Sequence, residues 1–345
     1  MGPHTATGLV PERYRRMVLA SRPVDKPDTT HFRLEEVGMP GVAAGQVLVR
    51  NRYLSIDPYM VGRMYTTQSY AAAQALGETM VGETAGHVIA SQHPDFQIGD
   101  AVVGALGWQE YGVSDGTNLR RVDEQRAPLS AYLGMLGMTG VTAWYGINRI
   151  CRPVEGDTVL VSAAAGAVGG VAVQLAKAKG CKVIGIAGGE QKCHYVTRVL
   201  GANACIDYRP LASKEALTEE IFKHAVDGVD AFFDNVNGWV LDAAFPAMSL
   251  GGRIALCGMI GRYGNRSMQL LSHHFLLLSR LTAQGFIVWD HVGEWGRAVD
   301  ELSDLMDGGL LRSEETRAFG IEAAPHACLG LLAGKNVGKQ LVQFY

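Results

Sequence analysis

The chain has no cysteine before Cys151, and its six cysteines (Cys151, Cys181, Cys193, Cys205, Cys257 and Cys328) include no C-x-x-C pair. This spacing offers neither a zinc lobe of closely spaced thiols nor a disulfide framework, so the six read as reduced core thiols. No run approaches the roughly 20 apolar residues a transmembrane helix needs. Met1 to Arg16 is polar, with arginines near its end and no apolar stretch of signal-peptide length behind them. These absences predict a cytoplasmic protein without a membrane partner. A net charge of -3 leaves no strong field of either sign, which argues against nucleic acid as a partner. Repeats, low-complexity tracts and charge blocks are absent too.

What the chain has is glycine, 43 of 345 residues, with 48% hydrophobic and 19% charged residues, the profile of a packed chain rich in tight turns. Its length exceeds one core, so two domains are expected. From Gln46 to about Asp123 short apolar runs alternate with turn signals, as where Gly99-Asp100 separates Phe96-Gln97-Ile98 from Ala101-Val102-Val103-Gly104. That texture predicts a small antiparallel barrel or sandwich. From Asp157 onward strands alternate with helices. Thr158 to Ser162 is a strand, and Val168, Val171, Ala172, Leu175 and Ala176 then recur at helical spacing until Gly180. Lys182 to Ala187 is a strand, Gln191 to Leu200 a helix closed by Gly201, and Ala204 to Asp207 a third strand. With Val229 to Val236, Arg253 to Cys257 and Leu281 to Val288 they predict an α/β fold with a six-stranded, doubly wound parallel sheet. Gln340 to Phe344 has no place in that sheet and is expected to return to the first domain.

Between the first strand and first helix of that sheet lies Ala164-Ala165-Gly166-Ala167-Val168-Gly169. A pyrophosphate site needs glycine where the backbone bends sharply and where a side chain would block approach to the helix N-terminus, and Gly166 and Gly169 fill those roles. A plain strand-to-helix turn is the alternative, and the complete βαβ unit around the motif weighs against it. The end of the second strand selects the cofactor, because a carboxylate there accepts free ribose hydroxyls whereas a cation favours a 2'-phosphate. The sequence reads Gly188-Gly189-Glu190-Gln191-Lys192, with Tyr208-Arg209 closing the third strand. Lys192 favours NADPH. Glu190 is the dissenting residue, although an acid in a first helical turn is also ordinary dipole complementation.

Further segments carry a resemblance. They include Tyr53-Leu54-Ser55-Ile56-Asp57-Pro58-Tyr59-Met60, Gly107-Trp108-Gln109-Glu110-Tyr111, Gly137-Met138-Thr139-Gly140-Val141-Thr142-Ala143, Phe233-Asp234-Asn235-Val236, Cys257-Gly258-Met259-Ile260, Gly285-Phe286-Ile287-Val288 and Gly334-Lys335-Asn336-Val337-Gly338-Lys339. Spread in order over nearly the whole chain, they are similar to the leukotriene B4 12-hydroxydehydrogenase/prostaglandin reductase family of zinc-independent medium-chain dehydrogenases/reductases. That family includes plant alkenal double-bond reductases and bacterial curcumin reductase-like enzymes. The resemblance implies a GroES-like β-rich domain over residues 1–134 and 311–345, a Rossmann NADPH-binding domain over 135–310, and a homodimer. It implies that Gly166, Ala167, Val168 and Gly169 hold the pyrophosphate and that Lys192 and Tyr208 attend the 2'-phosphate. Asn235, Cys257, Gly258, Tyr263, Phe286, Ile287, Val288 and Asn336 would line the rest of the cofactor, with Met138 and Thr142 close to the nicotinamide. The chain departs from the family pattern at Val61, usually arginine, at Asn237, commonly glycine, and at Trp144, commonly tyrosine. Val61 and Trp144 are expected to reshape the substrate side.

Gly86-His87-Val88 lacks the glutamate that follows histidine in the zinc-binding Gly-His-Glu motif, so no metal is expected. Without a Lewis acid a plain ketone is a hard target, whereas an α,β-unsaturated aldehyde or ketone accepts hydride at its β-carbon and spreads the charge into an enolate. The protein then needs positioning and a hydrogen-bond donor at the developing oxyanion. Tyr263, just past a strand's C-terminal end, is the expected donor, and Tyr59 would grip the substrate carbonyl. The alternatives are that Tyr263 only packs on the cofactor and that Tyr59 only packs. Expected function is therefore NADPH-dependent reduction of the enal or enone double bond. A quinone reductase of the same superfamily and a catalytically silent NADPH-binding scaffold are the competing readings.

Overall fold

The computed structural model describes residues 10–67, 69–262 and 270–345. The chain divides into two compact units, one of residues 1–134 with 315–345 and one of residues 135–314.

The first unit is built on β-strands. The hairpin of β1 (Arg13–Leu19) and β2 (Phe32–Gly38) is antiparallel. β3 (Val47–Ser55) is the hub of a larger sheet, pairing with β4 (Thr84–Ser91) and with β6 (Tyr111–Ser114), while β5 (Ala101–Gly104) joins β4 to β7 (Leu119–Arg121). Val47, Val49, Val88, Val102 and Leu119 alternate along these strands and bury one face over Phe96. A single short helix, α1 (Tyr59–Gly62), follows β3 after Asp57-Pro58.

In the second unit, α2 (Met138–Tyr145) leads to β8 (Thr158–Ser162), whose five residues are all buried, as a central parallel strand covered on both faces requires. The rest are α3 (Ala167–Ala178), β9 (Lys182–Ala187), α4 (Glu190–His194), β10 (Ala204–Asp207), α5 (Lys214–His224), β11 (Val229–Asp234), α6 (Trp239–Ala244), β12 (Met248–Leu256), α7 (Phe275–Leu278), β13 (Thr282–Gly285) and α8 (Trp295–Asp307). The six strands run parallel in the order β10-β9-β8-β11-β12-β13. This is the doubly wound dinucleotide sheet, with its order reversing between β8 and β11, where such sheets place ligands. Phe232 and Phe233 of β11 are fully buried, and truncating either to alanine would cost about 3–5 kcal/mol.

The tail supplies β14 (Glu315–Phe319), α9 (Ala324–Leu332) and β15 (Lys339–Gln343). β15 pairs antiparallel with β3, setting Leu341 opposite Ser55, and β14 pairs parallel with β15. No helix among the described residues is long and apolar enough to cross a membrane.

Candidate active site

The turn after β8 is shaped by what lies under it. Ala163 takes a left-handed conformation (φ 47°), and its carbonyl accepts from Gly166 N at 2.9 Å. A β-carbon on Gly169 would stand 2.3 Å from that same carbonyl oxygen, so only glycine lets the first turn of α3 approach the strand end this closely. Gly166 is the N-cap of α3 and gives no side-chain cap. The leading N–H groups, those of Ala167, Val168 and Gly169, are therefore available to an anion at the positive end of the helix dipole. The cradle fits a dinucleotide pyrophosphate.

At the neighbouring strand end two cations converge. β-carbons on Gly188 and Gly189 would fall 3.0 Å from the Tyr208 hydroxyl and 2.8 Å from Arg209 Nη1, so the glycines clear the space that these side chains occupy. Asp207 Oδ1 fixes the arrangement, accepting from Gly189 N at 2.8 Å and from Arg209 N at 3.0 Å. Burial, and then the Arg209 charge, hold the Lys192 ammonium below its ordinary pKa. Two positive charges this close repel until an anion joins them, and a ribose 2'-phosphate is such an anion. Arg209 thus joins Lys192 and Tyr208; its place directly after Tyr208 at a strand end was the available signal.

The ends of β8, β11 and β12 are laced together. Ser162 Oγ donates to the buried Asp234 at 2.7 Å, and Asp234 also accepts from Val236 N (3.0 Å) and Asn237 N (2.9 Å). Burial, opposed by those hydrogen bonds, pushes the Asp234 carboxyl up to about 6. Asn235 Nδ2 donates to Ser162 O at 2.7 Å, and Cys257 Sγ donates to Asn235 Oδ1 at 3.0 Å. Desolvation, with the Asp234 charge, raises the Cys257 thiol, so it stays protonated. Gly258 follows, pressed against the Asn235 carbonyl. Asn235, Cys257 and Gly258 therefore meet at the point where the strand order reverses. Asn237 sits at φ 66°, a conformation asparagine tolerates better than other non-glycine residues, and its own Oδ1 accepts from Gly238 N at 2.7 Å, which accounts for that departure from glycine.

Past β13, Phe286 and Val288 are buried and Ile287 half-buried, and Tyr145 packs 5.3 Å from the Phe286 ring. Met138 and Thr142 share one face of α2, where Thr142 Oγ1 donates to Met138 O at 2.7 Å. Trp144 and Val61 do not meet the expectation that they shape a substrate surface. Trp144 is fully buried, bonded through Nε1 to Glu301 at 2.7 Å and covered by Arg149, because α2 packs on α8 there. Val61 is likewise fully buried, in α1.

In the first unit Tyr59 opens α1 and is half-buried. Burial, and after it Asp57 and Glu83, push its phenol far above the ordinary value, so it is a neutral donor. Asn336 is buried and braces its own turn, donating to Gly338 O at 2.8 Å. Tyr263 lies outside the described residues. His87 Nε2 is engaged by Glu124 at 2.7 Å, and among the described residues no three His, Cys, Asp or Glu side chains gather as a metal would need. The described residues do not fit zinc.

The phosphate-cradling turn, the cationic strand end and the doubly wound sheet of one unit, in a chain whose other unit is β-rich, define a dinucleotide-dependent oxidoreductase. Comparison with known proteins agrees. Residues 15–122 match a family described as the N-terminal domain of oxidoreductase, and residues 167–304 match one described as zinc-binding dehydrogenase. The chain is 39% identical to the NADPH-dependent curcumin reductase of Escherichia coli (strain K12), with 97% of this chain and 98% of that protein covered. It is 38% identical to the 2-alkenal reductase (NADP(+)-dependent) of Nicotiana tabacum, with 87% of each covered. The crystal structure of CurA from Vibrio vulnificus in complex with NADPH superposes with a TM-score of 0.90 at 41% identity, covering 96% of this chain and 99% of that one. The chain belongs to the zinc-independent medium-chain dehydrogenase/reductase family that includes the prostaglandin reductases.

Proposed function

We propose that this protein uses NADPH to reduce the carbon–carbon double bond of α,β-unsaturated aldehydes and ketones. The observation that carries the reading is the convergence of Lys192 and Arg209 beside a strand end made of glycine. The relatives named for NADPH-dependent curcumin and 2-alkenal reduction supply the substrate class.

In this reading the N–H groups of Ala167, Val168 and Gly169 hold the pyrophosphate, and Lys192, Tyr208 and Arg209 hold the 2'-phosphate. Asn235, Cys257 and Gly258, with Phe286, Ile287, Val288, Met138, Thr142 and Asn336, line the remainder. When bound, the reduced dinucleotide supplies the hydride that the β-carbon of the substrate receives. Tyr263 donates to the carbonyl oxygen as it takes on enolate charge, and Tyr59, kept neutral by its surroundings, grips the same carbonyl. A preorganised donor of this kind is worth about 3–4 kcal/mol in the transition state.

We further place the protein in the cytoplasm, a reading that its six free cysteines support. We also propose a homodimer, supported by the last strand of the sheet: β13 is exposed along its length, and Leu277, Leu278 and Trp289 are exposed near it in sequence.

NADPH consumption with a panel of enals, enones and quinones tests the activity. Turnover of enals or enones is expected. Turnover of quinones alone would reassign the chain as a quinone reductase, and NADPH binding without oxidation would make it a silent scaffold.

A further inference from the structure

Trp239 is the first residue of α6 and is 40% exposed, although Val240 and Leu241 directly after it lie in the core. The turn ahead of the helix accounts for this placement. Asp234 accepts from Val236 N and Asn237 N, and Asn237 (φ 66°) and Gly238 (φ 59°) then carry the chain through two positive φ angles into α6. Val240 and Leu241 take the inward side of the short helix, which leaves Trp239 on its outer side.

The indole has an aromatic neighbour there. Its ring centroid lies 6.2 Å from that of Tyr208, with the ring planes 71° apart, and Tyr208 is itself 39% exposed. The same Tyr208 puts its hydroxyl 3.0 Å from where a Gly188 β-carbon would stand, at the strand end that Lys192 and Arg209 make cationic. Tyr208 follows β10 and Trp239 follows β11, so the two rings meet across β9 and β8, the strands that separate them in the sheet. An edge-to-face pair covers at most one face of one ring, and the exposure of both residues leaves open π faces toward solvent. A tryptophan exposed by itself needs no explanation. This one adjoins the tyrosine read as attending the 2'-phosphate.

We propose that Trp239 stacks on the adenine of NADPH and, with Tyr208, forms the base subsite of the dinucleotide. The inference rests on the NADPH reading above. Adenine and the 2'-phosphate are carried on adjacent carbons of one ribose, so the residues that hold the phosphate have the base beside them. Trp239 supplies what a flat purine needs, an open π face on a side chain with only two rotatable bonds, set on a turn that Asp234 holds in place. The division of labour follows from the chemistry: Lys192 and Arg209 take the charge of the phosphate, and the indole takes the uncharged base.

Adenosine 2',5'-bisphosphate is the probe, because it carries the base and the 2'-phosphate but not the reduced nicotinamide, whose absorbance would quench any tryptophan by energy transfer. Of the five tryptophans, Trp108 and Trp144 are fully buried and Trp289 stacks on Trp295 at 4.7 Å. Titration of the wild type is expected to quench part of the tryptophan emission, and Trp239→Phe should abolish that quench. Trp239→Ala should raise the Kd for the bisphosphate about 10- to 100-fold by calorimetry, the scale of one base stacked on one ring, and Trp239→Phe, which keeps a flat face, should recover most of the loss. Ribose 2,5-bisphosphate, which lacks the base, should bind the wild type and Trp239→Ala equally when measured by displacement of NADPH. Equal losses for both probes would make Trp239 a prop for Tyr208 and would overturn the proposal. So would an unchanged Kd in Trp239→Ala, or a quench that survives Trp239→Phe. Failure of the wild type to bind either probe would take the NADPH reading down with it.

Discussion

Lys339 Nζ stands 2.6 Å from Asp57 Oδ1, with the two side chains only 2% and 4% exposed. The same ammonium donates to Ile56 O at 3.1 Å, and the Ser55 hydroxyl takes the other carboxylate oxygen. The pair therefore locks β15 to the segment that leads into Tyr59. Removing one partner leaves the other charge buried and uncompensated, which costs about 3–5 kcal/mol. Lys339→Met is expected to lose that much stability in urea unfolding; a loss below about 1 kcal/mol would mean that Asp57 finds water or another partner.

Gly169→Ala places a methyl 2.3 Å from the Ala163 carbonyl oxygen, a backbone atom that cannot swing aside. The variant is expected to lose about 1–3 kcal/mol of stability, as overpacking does, and to bind NADPH at least about tenfold more weakly. Gly296→Ala in α8 is the control. A methyl there meets nothing within 4 Å, so helix propensity should make it about 0.5–1 kcal/mol more stable with cofactor binding unchanged.

Lys192→Ala and Arg209→Ala each remove a charged partner of the 2'-phosphate. Hydrogen bonds to charged groups are worth about 1.5–3 kcal/mol, so the KM for NADPH should rise about 10- to 100-fold in either variant. The KM for NADH should stay where it is. An equal change for both cofactors would place these cations elsewhere on the dinucleotide.

Glu83 is buried, and burial, followed by the Asp57 charge, pushes its carboxyl up to about 7 against the opposing pull of Arg120 and Lys339. A folded-state pKa above the unfolded value near 4.5 means that the folded chain holds the extra proton. Stability from this group is complete below pH 4.5 and lost as pH rises through about 7. Glu83→Gln keeps the neutral shape at every pH. It should be more stable than the wild type by about 1–3 kcal/mol at pH 8 and indistinguishable at pH 4. Thermal unfolding across that range reads the difference, and a gain that is constant with pH would rule out titration of Glu83 as its source.

Much of the sheet was legible because inner parallel strands buried on both faces are short apolar runs, as Thr158–Ser162 and Lys182–Ala187 are, while the partly buried edge strand Ala204–Asp207 falls where its own short apolar run does. β12 begins earlier than its apolar run, at Met248, because Gly251-Gly252 interrupts the pattern without ending the strand. The second helix is shorter than its periodicity suggested: regular turns cover Glu190–His194 and give way to a wider π-helical stretch over Tyr195–Val199. α5 escaped notice because only Leu217 and Ile221 of its polar sequence are buried. The glycine turn was readable because close backbone approach admits one residue type. Pairings such as Lys192 with Arg209, or Lys339 with Asp57, join residues far apart in the chain, and no local pattern encodes them. Trp144 misled for a related reason: a departure from a family pattern marks a change, and burial decides whether that change faces ligand or core.

The central claim is that hydrogen passes to the β-carbon of a conjugated carbonyl. Reduction of an enone with NADPH deuterated at the reactive C4 position, followed by NMR of the product, tests it most directly. The account predicts a saturated ketone carrying deuterium at the carbon β to the carbonyl. Deuterium on the former carbonyl carbon of an alcohol would contradict it.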